Sequence, residues 1–321
     1  MTLYVLALIG SFLILLYCGH LFVTGAVGIA ERNHIPKIIV GTLLVSIGTT
    51  LPELAVSVQS AIMGHSNLAL GNAIGSVIAD DALAFGLAAL LAPLPFIVNR
   101  KLIRISSLVL IISAVLLYLF AMNGTISRPE GIILLSFLLL YSLWFLSYAK
   151  RQRDLLRAED IKTHAHPPKS QSNFVLVLMF SIGLAGVLFS SRGVIWGATG
   201  ISRLFGISEI VIGLTVVAIG TSLPEIITCV IAAKKNEGDI AAGDIIGADI
   251  LNILWIIGMS ATAHPLEANL STVHLYCSML LVMVGFFLSI LLFANKIKKI
   301  HGILLFSFYL FFLAISYFHL R

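Results

Sequence analysis

The sequence predicts an all-α, polytopic membrane protein of about ten transmembrane helices, built as two inverted five-helix repeats with broken helices at their centres. Three observations predict it: the composition, an almost unbroken series of long apolar runs, and a motif that occurs twice. Of 321 residues, 59% are hydrophobic and only 11% charged, against about 25% charged in a soluble domain. The mean hydropathy is +1.05. Apolar runs of roughly 20 residues, the length that crosses a bilayer, follow one another along the chain. The net charge of +5 does not mark a nucleic-acid binder, because the basic residues fall between the apolar runs, as the positive-inside rule expects. Cys18, Cys229 and Cys277 all lie in apolar segments. Their odd number argues against a disulfide framework and for small buried residues.

Taken in order, the spans fall near 2–30, 37–63, 67–92, 105–122, 129–149, 173–204, 209–233, 239–262, 272–294 and 300–319. The first has no basic start and no small-x-small cleavage site, so it reads as a retained helix. One long polar stretch, Lys150 to Asn173, divides five spans from five. This gives a first membrane repeat over 1–149, a polar linker over 150–172 and a second repeat over 173–321. Lys150, Arg151, Arg153, Arg157, Lys162 and Lys169 assign the linker to the cytoplasm. Counting outward brings Arg100, Lys101, Arg104, Lys234, Lys235, Lys296, Lys298 and Lys299 to the same side and both termini outside. Arg128, Arg203 and Arg321 dissent singly. Each half has an odd number of spans, so the second half enters the membrane from the opposite face.

The two halves match without a gap at an offset of 172 residues, Gly41–Gly86 lying over Gly213–Gly258. Gly48, Thr49, Leu51, Pro52, Glu53, Gly71, Gly75 and Gly86 meet Gly220, Thr221, Leu223, Pro224, Glu225, Gly243, Gly247 and Gly258. Chance pairing of apolar residues aligns Leu, Ile and Val; it does not align Gly, Pro and Glu. Upstream, Gly25 and Gly28 lie over Gly197 and Gly200. Inverted repeats with Gly/Pro-interrupted spans point to a binding site at mid-membrane.

Glu53 and Glu225 fall near the middle of their spans. Pro52 and Pro224 each remove a backbone donor and disturb the carbonyls one turn earlier, and Gly48 and Gly220 are expected to let the backbone bend. Freed carbonyls are tolerable in a membrane only where they line a cavity or bind something. With the threonine hydroxyls and the carboxylates they form an all-oxygen set that suits a hard cation. The third and eighth spans add Asn72, Ser76 and Asp80, and Asp244, Asp249 and Asn252. Ser76 and Asp80 are one turn apart and share a face; Ala248 and Asn252 occupy the matching positions.

An intramembrane glutamate is a functional candidate by default, and two at related positions leave little room for a purely structural role. Asp80 is a weaker candidate, since it could pair with a basic group. Asp81 aligns with Ile253 and reads as a non-site residue. Asp244 and Asp249 fall on a different helical face from Asn252 by spacing, and both readings, path-lining and structural, stay open. Gly193 and Gly197 read as close helix packing. His20 reads as a satisfied structural histidine, and His164 and His166 as surface residues.

At "GTTLPE" with "GNAIGSVIADD" and "GTSLPE" with "GDIIGADILN", the chain resembles the cation/Ca²⁺ exchanger superfamily, most closely its prokaryotic sodium/calcium exchanger branch. The resemblance implies an antiporter rather than an enzyme, with Ca²⁺ and Na⁺ as transported substrates, no cofactor, and a home in a prokaryotic plasma membrane. It implies Glu53 and Glu225 as central Ca²⁺ ligands, aided by the backbone carbonyls of Thr49 and Thr221. Thr50 and Ser222 would give hydroxyls to flanking Na⁺ sites, Ser46 and Ala218 carbonyls on either side, and Ser76 a further Na⁺ ligand. Asp80 and Asn252 match the pair at the middle of the site. The chain departs from the family pattern at three places. The usual Gly-Ser-Asn becomes Gly75-Ser76-Val77 and Gly247-Ala248-Asp249, Ala248 removes a hydroxyl, and the acid of the middle pair has moved from the second repeat to the first.

Three carboxylates in one cavity repel by roughly 3 kcal/mol per pair at about 5 Å and an effective dielectric near 20. Relief by Ca²⁺, by several Na⁺ or by protons gives antiport a physical basis, and the inverted repeats supply two near-equivalent states. Spans one and six, long and glycine-bearing, are candidates for the moving layer. A proton-coupled or K⁺-dependent antiporter on the same scaffold is the runner-up. An intramembrane protease is disfavoured because no G-x-G-D, H-E-x-x-H or G-x-S-x-G occurs, and paired broken helices argue against a passive channel.

Overall fold

A computed structural model of the chain describes residues 1–162, 172–205 and 218–319. The first half begins with α1 (Thr2–Arg32). The second span is assembled from four pieces: α2 (Lys37–Val40), a π-helical turn π1 (Gly41–Val45), α3 (Ser46–Thr49) and α4 (Leu51–Ile62). The third comprises α5 (Ser66–Ala79), π2 (Asp80–Ala84) and α6 (Phe85–Leu91). Then come α7 (Arg100–Ala121), the short strand β1 (Thr125–Ile126) and α8 (Arg128–Lys162).

The second half repeats this order with α9 (Asn173–Leu204), α10 (Ala218–Thr221) and α11 (Leu223–Lys234). They are followed by α12 (Gly238–Leu251), π3 (Asn252–Ile256) and α13 (Ile257–Ala263). Strand β2 (Leu266–Glu267), α14 (Leu270–Phe293) and α15 (Lys299–His319) complete it.

Among the described residues eight helices are long and apolar enough to cross a membrane, and the bent second span makes a ninth. The tenth expected span is represented by α10 and α11. Its beginning, including Gly213, lies outside the described residues, as do His164, His166 and Lys169 of the linker, and Arg321. The linker differs from expectation at its start: α8 runs on through Lys150–Lys162 to a length of 35 residues. That is about 50 Å of helix, longer than the roughly 30 Å hydrocarbon core. Leu, Arg, Gln, Ala and Lys dominate its last turns, and all propagate a helix readily.

The two spans that carry the second motif segment form the centre. In α5–π2–α6 and α12–π3–α13, 78% and 89% of the apolar window is buried, against 17–50% in the other long spans. Around them α1 and α9 pack antiparallel along a line of glycines. A Cβ on Gly25 would lie 2.6 Å from the Phe180 backbone nitrogen, one on Gly183 2.6 Å from Phe22 Cα, and one on Gly197 2.9 Å from the Tyr4 carbonyl. Without side chains at these points the two helices touch backbone to backbone, Gly197 among them, while Gly193 packs closely against the Ser11 side chain.

Two small clamps tie the halves together. Thr125 and Ile126 pair antiparallel with Glu267 and Leu266. Elsewhere, Phe96 and Ile297 exchange backbone hydrogen bonds of 3.2 and 2.8 Å. Thr125 and Ile297 are themselves 172 residues apart, so the clamps are copies of one another under the repeat.

Candidate functional site

Both motif helices break at the same place. Thr50, at φ −77° and ψ −2°, separates α3 from α4, and Ser222, at φ −85° and ψ 8°, separates α10 from α11. The first break bends its span by 47°. Proline explains it: Pro52 and Pro224 lie in the first turn after the break, where a missing N–H is harmless to the new helix but ends the old one. Gly48 and Gly220, expected to supply the bend, instead lie inside α3 and α10 and make room for neighbours. A Cβ on Gly48 would lie 2.9 Å from Leu184 Cδ2, and one on Gly220 2.8 Å from Ile195 Cδ1.

Glu53 and Glu225 therefore sit in the first turn of α4 and α11, where the positive end of a helix favours a carboxylate. Both are 1% exposed. Neither oxygen of Glu53 has a hydrogen-bond donor, nor has Oε2 of Glu225. Leaving buried carboxylate oxygens without donors costs more than a hydrogen bond returns, so these atoms are arranged for something other than stability.

The middle pair meets across the repeat. Asn252 Nδ2 donates to Asp80 Oδ2 at 3.4 Å, leaving Asp80 Oδ1 and Asn252 Oδ1, both buried, without partners. Both residues open a π-helical turn, a feature that hydrophobic periodicity did not reveal and that recurs at functional sites. Ser76 lies one turn before Asp80 and is 4% exposed; Ala248, in the matching place, is fully buried.

The hydroxyls of the breaks are not equivalent. Thr50 Oγ1 donates to the Ser46 carbonyl at 2.7 Å, and Thr49 Oγ1 reaches the same oxygen at 3.2 Å. The Thr50 backbone N–H also donates to it at 3.0 Å. The Ser46 carbonyl, an expected cation ligand, is thus committed to its own chain in this conformation. Ser222 Oγ is buried and without a partner. Thr221 is 6% exposed, and Ala218 opens α10.

Of the two residues left open by spacing, Asp244 is drawn in. Thr49 Oγ1 donates to Asp244 Oδ1 at 3.3 Å, so Asp244 faces the first repeat's break rather than away from it. Asp81 and Asp249 lie within hydrogen-bond reach of each other. While both are ionised, none of their four oxygens has a donor, so a hydrogen bond between them requires a proton on one. Among the described residues no three Asp, Glu, His or Cys side chains stand close enough to grip a metal ion unaided. Any cation would be shared with the interleaved hydroxyl, amide and carbonyl oxygens.

An inverted five-plus-five bundle with two broken helices and buried, donor-poor acids beside the breaks defines a secondary transporter of cations. The model of the family described as sodium/calcium exchanger protein matches residues 3–147 and 175–318, and the chain belongs to that family. It is 36% identical over 288 residues to the inner membrane protein YrbG of Escherichia coli, covering 87% of this chain and 86% of that protein. It is 29% identical to the sodium/calcium exchanger MaX1 of Methanosarcina acetivorans, covering 92% and 93%. Among solved structures, the sodium-calcium exchanger NCX_Mj superposes with a TM-score of 0.83 at 28% identity, covering 97% of this chain and 98% of that one. The protein is an integral membrane cation/Ca²⁺ exchanger, and no enzyme activity or cofactor is indicated.

Proposed function

We propose that this chain exchanges Ca²⁺ for Na⁺ by alternating access. The observation that carries the reading is the convergence of Glu53, Glu225 and Asp80, buried, donor-poor and brought together from inverted repeats. Ca²⁺ takes about 6–8 oxygens. Glu53 and Glu225 supply the central carboxylates, with the carbonyls of Thr49 and Thr221. Thr50, Ser222 and Ser76 supply hydroxyls to flanking Na⁺ sites, Ser46 and Ala218 supply carbonyls, and Asp80 with Asn252 closes the middle. MaX1 and NCX_Mj are both named as sodium/calcium exchangers, which supports Na⁺ as the coupling ion.

The empty, ionised site is electrostatically unfavourable, so it crosses between states only when neutralised. The glycine-lined pair α1 and α9 is the moving layer, sliding over a fixed core of α5–π2–α6 and α12–π3–α13. Residues 1–149 and 173–321 act as the two repeats joined by a cytoplasmic linker at 150–172. Both termini face outward, and the membrane is the plasma membrane of a prokaryote, in keeping with the description of YrbG.

Radiolabelled Ca²⁺ uptake into proteoliposomes under an outward Na⁺ gradient tests the reading. The wild type accumulates Ca²⁺, and Glu53→Gln and Glu225→Gln do not; normal uptake by either variant refutes the ligand assignment. A proton-coupled antiporter is the second reading, favoured by the loss of one expected Na⁺-site hydroxyl at Ala248 and by the name of a 37% identical relative, the putative antiporter CaxA of Alkalimonas amylolytica. Parallel Na⁺, K⁺ and H⁺ gradients separate the two: uptake driven by pH alone selects the second.

A further inference from the structure

Asp244 takes no part in the ligand set above, and its surroundings differ from those of its counterpart. In the first repeat Asn72 holds the broken helix together: its amide donates to the Glu53 carbonyl at 3.3 Å and to Ser57 Oγ at 2.8 Å. Ser57 in turn donates to the Ala69 carbonyl at 3.3 Å. The second repeat keeps the outer contact, Cys229 Sγ to the Ala241 carbonyl at 3.9 Å, 172 residues on at both ends.

Asn72 itself is replaced by Asp244, and a carboxylate has no N–H to donate to the Glu225 carbonyl. Asp244 accepts from Thr49 Oγ1 instead. Its Oδ2 has no donor, and the residue is fully buried. It stands within electrostatic reach of Glu225 and Asp80, and none of these acids forms a salt bridge among the described residues. A carboxylate that has lost the structural bond of its counterpart, faces the other repeat's break and keeps a bare buried oxygen there is placed as a ligand.

We propose that Asp244 Oδ2, with the Thr49 hydroxyl oxygen, seats a monovalent alkali cation beside the Ca²⁺ site, so that the cavity carries four carboxylates and one more monovalent ion per cycle than the three-acid reading requires. This rests on the exchanger reading above. With Glu53, Glu225 and Asp80, Asp244 brings the formal charge to four negatives, of which Ca²⁺ offsets two. An alkali ion at Asp244 relieves part of the remainder without disturbing the glutamates.

The test counts ions. Purified wild type and Asp244→Asn are reconstituted, and radiolabelled Na⁺ or Rb⁺ (the latter standing for K⁺) released per Ca²⁺ taken up is measured. Asp244→Asn is expected to release about one alkali ion fewer per Ca²⁺ taken up, and the isotope whose count falls identifies the ion. Should the variant transport too slowly to count, equilibrium binding of the two isotopes to detergent-purified protein replaces flux, with one site lost expected. Asparagine restores the donor that Asn72 uses, so the variant should melt no lower than wild type. Unchanged coupling ratios and unchanged alkali binding overturn the proposal. A Glu53→Gln control that still exchanges Ca²⁺ would sink the underlying reading instead.

Discussion

The two repeats share a backbone but divide the chemistry unequally. Both break one residue before Leu-Pro-Glu, both open a π-helical turn at the middle of the site, and both touch a partner helix through paired glycines. A Cβ on Gly131 would lie 2.8 Å from the Gly258 carbonyl, and one on Gly302 2.6 Å from the Gly86 carbonyl. The side chains on that common frame differ. The first repeat holds Asn72, Ser76, Asp80 and Asp81 where the second holds Asp244, Ala248, Asn252 and Ile253. The shared Gly and Pro positions set the packing and the break of each span, and on the proposed reading the differing positions set what it binds. Symmetry is therefore a property of the scaffold, and the proposed ligand set differs between the repeats where the side chains depart from it.

The largest expected effect comes from exchanging the middle pair. Asp80→Asn alone leaves two amides facing each other and removes one carboxylate, and Ca²⁺ exchange should fall by about a hundredfold or more, the scale of a lost charged ligand at about 3 kcal/mol. The double variant Asp80→Asn with Asn252→Asp restores the acid on the other repeat and should recover most of the activity. If it stays as poor as the single variant, the repeats are not interchangeable at this position and the comparison breaks.

Next in size is Gly25→Ala, aimed at the α1–α9 layer. The added methyl would lie 2.6 Å from the Phe180 backbone nitrogen and 2.9 Å from the Leu176 carbonyl, neither of which can move aside as a side chain does. We expect a stability loss of about 1–3 kcal/mol, read as a lower melting temperature in detergent, with slowed exchange. Unchanged melting and unchanged rate would mean that the two helices do not depend on this contact.

Much of this architecture was legible in the sequence because its strongest constraints are local. Long apolar runs, a polar divider and Pro beside Glu each have one physical reading in a membrane, and the 172-residue offset needed only pattern matching. What escaped depended on three-dimensional partners. Gly48 looked like a hinge, yet it is a packing glycine against Leu184, because Pro52 alone suffices to end α3. Asp244 looked peripheral by helical spacing, yet Thr49 draws it in. The available signal was its pairing with Asn72: an acid opposite an amide within a repeat changes a donor into an acceptor. The helical start of the linker escaped because polarity was read as loop, although its residues propagate a helix as well as apolar ones do.

Ala248→Ser sharpens the comparison at a smaller scale by returning the hydroxyl that Ser76 provides in the first repeat. One added oxygen ligand of roughly 0.5–1.5 kcal/mol corresponds to an increase in apparent Na⁺ affinity of about two- to tenfold. It is measured as the Na⁺ concentration that half-inhibits Ca²⁺ binding. No shift would mean that the alanine position does not border a Na⁺ site, which favours coupling to another ion.

The smallest effect is expected at Lys37, which bridges the end of α1 to the start of α12. Its ammonium lies 2.9 Å from Glu31 Oε1 and 2.8 Å from Glu237 Oε1. Lys235 makes a second link, donating to Thr24 Oγ1 and to the His20 carbonyl of α1. Glu31, Lys37 and Glu237 align under the repeat with Arg203, Glu209 and His65, so this charge arrangement is not copied but reversed. With side-chain exposures of 30%, 42% and 17% for Lys37, Glu31 and Glu237, solvent screens the pairs, and Lys37→Gln should cost less than about 1 kcal/mol in stability. Its effect belongs in the transport cycle. In the proposed cycle these pairs join the moving layer to the core, so they would hold only the state in which α1 rests as it does here. Losing them should shift the balance between the two access states by a few-fold. The measurement is the rate of labelling of single cysteines on the two faces, compared with and without Lys37→Gln. Equal labelling ratios would show that the reversed charges serve topology alone.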